Sequence, residues 1–140
     1  MNGSNVPTVS IPEESLRQIG AHAFACFPEE CCGLLVGDRA SGVTQRFVPT
    51  TNIAHSAKVY TIDPKEHLRA ELAAEADGLE VIGIVHSHTH TEAYPSPTDV
   101  AQAVDPGWHY VIVTLMRGTP EPRSYLIADG SITEETIVRL

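Results

Sequence analysis

Apolar positions recur at two spacings along this chain, and each change of spacing marks an element. From Pro12 onward, Leu16, Ile19, Ala23 and Phe27 fall three or four residues apart, the period of one face of an α-helix. Ser10 or the Ile11-Pro12 step opens that helix, and Pro28 ends it. "CCGLLVG" (31–37) reads as a strand, "DRASG" (38–42) as a turn and "VTQRFVP" (43–49) as the returning strand of a hairpin. After a loop comes the short run "VYTI" (59–62), then "DPKE" (63–66), the grammar of a helix start. Asp63 is the N-cap, Pro64 the first helical residue and Glu66 the closing acid of a capping box. Leu68, Leu72 and Ala76 are expected to form the inner face of this second helix, with Gly78 as its stop.

The second half is richer in strands. "VIGIVHSH" (81–88) is apolar on both faces and therefore central in its sheet. "SPTD" (96–99) repeats the helix-start grammar with Ser96 as cap, and "HYVIVTL" (109–115) is a second buried strand. "RSYLIA" (123–128), Asp129-Gly130 and "SITEETIVRL" (131–140) make a terminal hairpin, Asp-Gly being a strong two-residue turn signal. The pattern predicts one domain over residues 1–140, with residues 1–7 flexible. Its class is α/β (α+β), a mixed central sheet flanked by helices.

Composition narrows the function classes. A chain of 140 residues can bury a core without covalent staples. A net charge of −9, with only nine Lys and Arg, argues against nucleic-acid binding, which needs cations on phosphates. No apolar run approaches membrane length, and "MNGSNVPTVS" has neither the basic start nor the apolar stretch of a signal peptide. Cys26, Cys31 and Cys32 are an odd set with two sequence neighbours, unsuited to a disulfide framework. The expectation is a reducing cytoplasm.

Polar density concentrates where the central strand ends, in "HSHTHTEAYPSPTD" (86–99). Side chains alternate along a strand, so His86 and His88 face one way and Ser87 the other. Two imidazoles one strand repeat apart can grip a divalent ion, and a catalytic zinc takes three protein ligands and a water. Spacing alone leaves His90, Glu92 and Asp99 open as the third ligand. Blander readings compete: a His-x-His at a strand end is more often surface or satisfied core, and Ser96 and Asp99 are accounted for as cap and capping-box acid. His109, beside Trp108, reads as a packing or surface residue without a partner, and Cys31 and Cys32 as small core hydrophobes.

The same residues resemble the JAMM (MPN+, or JAB-domain) zinc metalloprotease signature: His-x-His, seven residues, Ser, two residues, Asp. That family has a glutamate three residues before a Gly-x-x-x-Gly strand, matched by "EECCGLLVG", with Glu30, Gly33 and Gly37. Neighbouring Glu29 is a rival that only this spacing disfavours. The resemblance extends through "TNIAHS", "YTIDP" and "HYVIV", and so over nearly the whole chain. It implies a cytidine-deaminase-like JAMM/MPN fold with one Zn²⁺ on His86, His88 and Asp99, and water as the fourth ligand. Glu30 would take the water's proton and Ser96 would donate to the oxyanion. Whether Ser96 does so or serves only as a cap stays open.

Members of the family cut amide or isopeptide bonds after the Gly-Gly tail of ubiquitin-like proteins. Thr89, where many members have proline, together with "TEAYPS", resembles the small actinobacterial-type branch that includes CysO-cysteine peptidase. The implied partner is a ubiquitin-like sulfur carrier ending in Gly-Gly, losing cysteine or a short extension in the service of cysteine biosynthesis. A zinc hydrolase of small amides and a metal-free MPN-type binding scaffold are the competing readings. No nucleic-acid or membrane partner is expected.

Overall fold

The structure, a computed structural model, describes residues 6–140. Its elements are β1 (Thr8–Ile11), α1 (Glu13–Cys26), β2 (Cys32–Asp38), β3 (Val43–Thr50), α2 (Pro64–Ala76) and β4 (Glu80–His88). They are followed by α3 (Pro97–Gln102), β5 (His109–Thr114), β6 (Glu121–Ala128) and β7 (Ser131–Arg139). Strand order is β1-β3-β2-β4-β5-β6-β7, and the sheet curls until β1 joins its two ends. β1 lies parallel to β7 on one side and, through Ser10↔Val43, to β3 on the other. Of residues 1–7, expected to be flexible, residues 1–5 lie outside the described residues. Pro7 is already engaged, its carbonyl accepting the Thr136 N–H at 2.9 Å.

β4 is central, antiparallel to β2 and parallel to β5. A parallel pair cannot be closed by a tight turn. The chain between β4 and β5 therefore has to cross over, and α3 lies in that connection. This crossover returns a helix start to the end of β4. On the inner side, Leu16, Ile19 and Ala23 of α1 pack with Ile11, Leu35, Val85 and Val111. Phe27 does not join them: it is the C-cap and stays 47% exposed, because the helix stops at Cys26.

α2 departs further from expectation. It buries Ala70 and Ala74 against Leu34, Val36 and Val81, while Leu68 and Leu72 are 57% and 58% exposed and Ala76 is exposed. Small side chains let the helix lie close on β2 and β4, and that approach sets its rotation. Its capping box does not form either. Asp63 accepts the Lys65 N–H at 2.9 Å, and Glu66 turns away to Thr51, accepting its N–H at 2.6 Å and its hydroxyl at 3.0 Å. "VYTI" contributes a single bridge, Ile62 to Asn52. The terminal hairpin turns on Asp129 (φ 52°) and Gly130 (φ 78°), the left-handed pair a two-residue turn requires.

His109 has the partner its sequence neighbours did not reveal. It is buried at the start of β5, with Nδ1 2.6 Å from Oε2 of Glu135 on β7. Ser124 on β6 donates to the same oxygen at 2.8 Å. No helix among the described residues is long and apolar enough to cross a membrane.

Candidate metal centre and catalytic cleft

Two elements deliver the candidate ligands, and each is held from more than one side. The end of β4 is pinned by Cys32↔His86 on the β2 side and by His86↔Ile112 and His88↔Thr114 on the β5 side. His86 and His88 therefore share a face and both are buried. Asp99 comes from the first turn of α3, where Ser96 Oγ accepts the Asp99 N–H at 3.1 Å and Asp99 Oδ2 accepts the Ser96 N–H at 2.9 Å. The capping box thus fixes the carboxylate that faces the histidines.

Asp99 Oδ2 lies 3.2 Å from each imidazole Nε2, and the two Nε2 atoms lie 3.2 Å apart. Ligands about 2.0–2.1 Å from a tetrahedral centre stand about 3.3–3.4 Å from one another, so this triangle matches one face of a zinc site closely. The donor chemistry agrees. His88 Nδ1 donates to the Glu92 carbonyl at 2.7 Å, which leaves its Nε2 lone pair facing inward. The His86 ring is held by stacking on Tyr60, with centroids 4.4 Å apart and planes inclined by 21°. Among the described residues, His86, His88 and Asp99 form the cluster that can hold a metal ion.

Charge follows the same arrangement. Burial pushes the His86 pKa down against the pull of Asp99. Burial acts the same way on His88, but Asp99 and the Glu92 carbonyl outweigh it and the pKa rises. At Asp99, burial opposes ionisation, yet the hydrogen bonds from His86, His88 and Ser96 hold the carboxyl well below the usual range. His90 stands outside the cluster, exposed, with Nδ1 2.9 Å from the Thr89 hydroxyl. The Glu92 carboxylate is engaged by Arg117 at 2.8 Å, so Glu92 serves the site through its carbonyl.

Glu30 and Ser96 line one cleft of about 310 Å³ with His88, Ala57 and Lys58. Glu30 is only 4% exposed. Burial raises its pKa to about 7, with His88 pulling it down and Asp99 pushing it up. Its Oε1 has no hydrogen-bond partner among the described residues. Glu29 is half-buried, 3.5 Å from His55 and away from the cleft. The strand beneath Glu30 explains its glycines. A Cβ at Gly33 would meet the Phe47 ring and, at 2.7 Å, the Val48 carbonyl, and one at Gly37 would meet the Val43 carbonyl. Ser96 Oγ spends a lone pair on the cap and keeps its proton to donate. Cys31 and Cys32 are fully buried, and burial pushes their thiols up to about 12 and 11, as packing residues rather than nucleophiles.

Several contributors escape a reading by motif. Ser87, on the far face of β4, accepts the Cys31 N–H at 2.7 Å and ties the residue after Glu30 to the ligand strand. Tyr60 and the Glu92 carbonyl orient the histidines from loops; spacing had offered Glu92 only as a side-chain ligand, and the sole sequence signal at Tyr60 was the resemblance through "YTIDP".

Residues 12–128 match the family described as prokaryotic homologues of the JAB domain. The chain belongs to this prokaryotic JAB family. The JAB chain is 46% identical over 119 residues to the CysO-cysteine peptidase of Mycobacterium tuberculosis, covering 84% of this chain and 81% of the relative. Identity to a probable TtuB-protein conjugate cleaving protease of Thermus thermophilus is 33% over 121 residues, or 86% of this chain and 76% of that protein. A solution structure of a Desulfitobacterium hafniense protein superposes with a TM-score of 0.86 at 32% identity, covering 94% of the JAB chain and 92% of its own.

Proposed function

We propose that this JAB protein is a zinc metallopeptidase that hydrolyses the amide after the C-terminal Gly-Gly of a ubiquitin-like sulfur carrier, releasing cysteine or a short extension. The observation that carries the reading is the 3.2 Å triangle of His86, His88 and Asp99 beside a cleft that Glu30 and Ser96 also line. The relatives named as a CysO-cysteine peptidase and a TtuB-protein conjugate cleaving protease support the substrate class. Free cysteines without a disulfide fit a cytoplasmic location.

His86, His88 and Asp99 would hold one zinc ion, which when bound supplies Lewis acidity and makes water acidic enough to attack near neutral pH. Glu30 takes the proton of the attacking water on its carboxylate and returns it to the nitrogen of the departing amine. Ser96 donates its hydroxyl proton toward the carbonyl oxygen as negative charge develops there. The Glu92 carbonyl and the Tyr60 ring keep the two imidazoles in the required orientation.

The test is mass spectrometry of a carrier ending in Gly-Gly-Cys incubated with the protein. The expected products are free cysteine and a carrier ending at Gly-Gly, with loss of turnover on chelation and its return with zinc. An intact carrier alongside rapid hydrolysis of small acyl-amides would replace the protein substrate with a small one. Full activity after exhaustive chelation overturns the mechanism.

A further inference from the structure

One buried side chain ties together parts of the cleft that no strand pairing connects. Asn52 lies just past the end of β3, and its amide is committed entirely to backbone. Nδ2 donates to the carbonyls of Glu30 at 3.0 Å and Val59 at 3.1 Å, with the Ser56 carbonyl at 3.5 Å. Oδ1 accepts the N–H groups of Ala54 and Thr61, each at 3.0 Å. The Glu30 N–H closes the arrangement by donating to the Ser56 carbonyl at 2.8 Å.

Residues 53–61 form no helix or strand. Their backbone groups nonetheless need partners, and Asn52 supplies several from within the fold. This segment carries Ala57 and Lys58 to the cleft and lays Tyr60 on His86. The same amide that organises the segment grips the carbonyl of Glu30. Carbonyls converge on one end of the side chain and N–H groups on the other, so the position demands donors and an acceptor in one short planar group. Aspartate has the shape but no donor, glutamine is a methylene too long, and alanine leaves buried carbonyls unsatisfied.

We propose that Asn52 is a positioning residue for the hydrolysis, locking Glu30 and the 53–61 segment into one unit so that the proton acceptor and the wall bearing Tyr60 keep a fixed relation to the ligand strand. This rests on the proposed role of Glu30. Displacing a reacting group by about 1 Å can cost on the order of 10²-fold in rate, so a lock on Glu30 is a lever on turnover.

The deciding variant is Asn52→Asp, which keeps the acceptor half and loses the donors. It should retain zinc and the fold, and lower kcat by about 10- to 100-fold. Combined with Glu30→Gln it should add less than about twofold to the loss from Glu30→Gln alone, since residues acting through one group are not additive. A general structural defect would instead multiply through in full. Independently of activity, hydrogen exchange at the amides of Glu30, Ala54 and Thr61 should speed by about tenfold or more, while Val85 and Val111 in the central ladder keep their protection. If Asn52→Asp does not fold, Asn52→Ser, neutral and too short to span these partners, takes its place in both arms. Unchanged exchange at Glu30, or losses that multiply with Glu30→Gln, overturns the proposal. A wild-type protein that leaves the carrier intact defeats the functional reading alone, because the exchange measurement still decides whether the lock exists.

Discussion

Asp99 does two jobs with one oxygen: Oδ2 accepts the Ser96 N–H at the start of α3 and faces both imidazoles. The helix start and the candidate metal site are therefore one structure, and removing the carboxylate should damage both. Asp99→Ala and His86→Ala are expected to lose zinc, while His90→Ala keeps it, as read by metal content of the purified variants. Loss of metal from His90→Ala instead would move the third ligand to a residue the structure leaves outside. Glu30→Gln should bind zinc and melt like the parent, yet turn over about 10²–10⁴-fold more slowly, since the amide cannot take a proton. Ser96 permits a cleaner separation. Glycine is nearly as good a cap, so Ser96→Gly should cost only a few tenths of a kcal/mol of stability. If the hydroxyl donates to the oxyanion, the same variant should lose about 10²–10³-fold in kcat. A normal kcat in Ser96→Gly would reduce the residue to a cap. At this scale the His-x-His pair was legible from strand alternation, while Asp99 as third ligand and Glu30 over Glu29 came from the family resemblance. The local supports, the Tyr60 ring and the Glu92 carbonyl, were not legible, because they depend on where a loop returns in space.

At the scale of elements, α2 shows why periodicity identifies a helix better than its rotation. Leu68 and Leu72 lie four residues apart, as do Ala70 and Ala74, and hydrophobicity alone favours the leucines as the buried pair. The sheet selects the alanines, because the helix lies close on Leu34, Val36 and Val81. Ala74→Leu should therefore cost about 1–3 kcal/mol from overpacking, whereas Leu72→Gln should change stability by less than about 0.5 kcal/mol, both read from urea unfolding. A large loss from Leu72→Gln would mean that this face is covered in solution. The strands were more readable: β4 and β5 are continuous apolar runs because both their faces are covered, and the Asp129-Gly130 turn announces its hairpin.

The whole molecule is a sheet closed through β1, and closure creates an environment no local stretch describes. His109, Ser124 and Glu135 come from three strands and meet at Glu135 Oε2. His109→Ala should strip this buried carboxylate of one partner and destabilise by about 1–3 kcal/mol or more, measured by urea midpoint, with little effect on zinc content. A neutral result would show that water replaces the imidazole. Net charge also acts at this scale. At −9, the protein would repel the proposed carrier at long range if that carrier is similarly acidic, and their association should then quicken as salt rises. The opposite salt dependence would reveal a local basic docking patch.

By itself the sequence determined the mixed α/β class, the central strand and the cluster of metal-ligand chemistry at its end. Each of these is written in local order: period two or 3.6, turn residues, and donors a fixed number of bonds apart. The resemblance implied Asp99 as the third ligand, and the structure brings it to the two histidines; tertiary structure alone decided that α2 buries its alanines and that His109 has a carboxylate partner. It also decided that Asn52 holds Glu30. These outcomes depend on which distant segments approach closely and which buried polar groups then need partners. That is a property of the closed sheet and its crossover, not of any one stretch of chain.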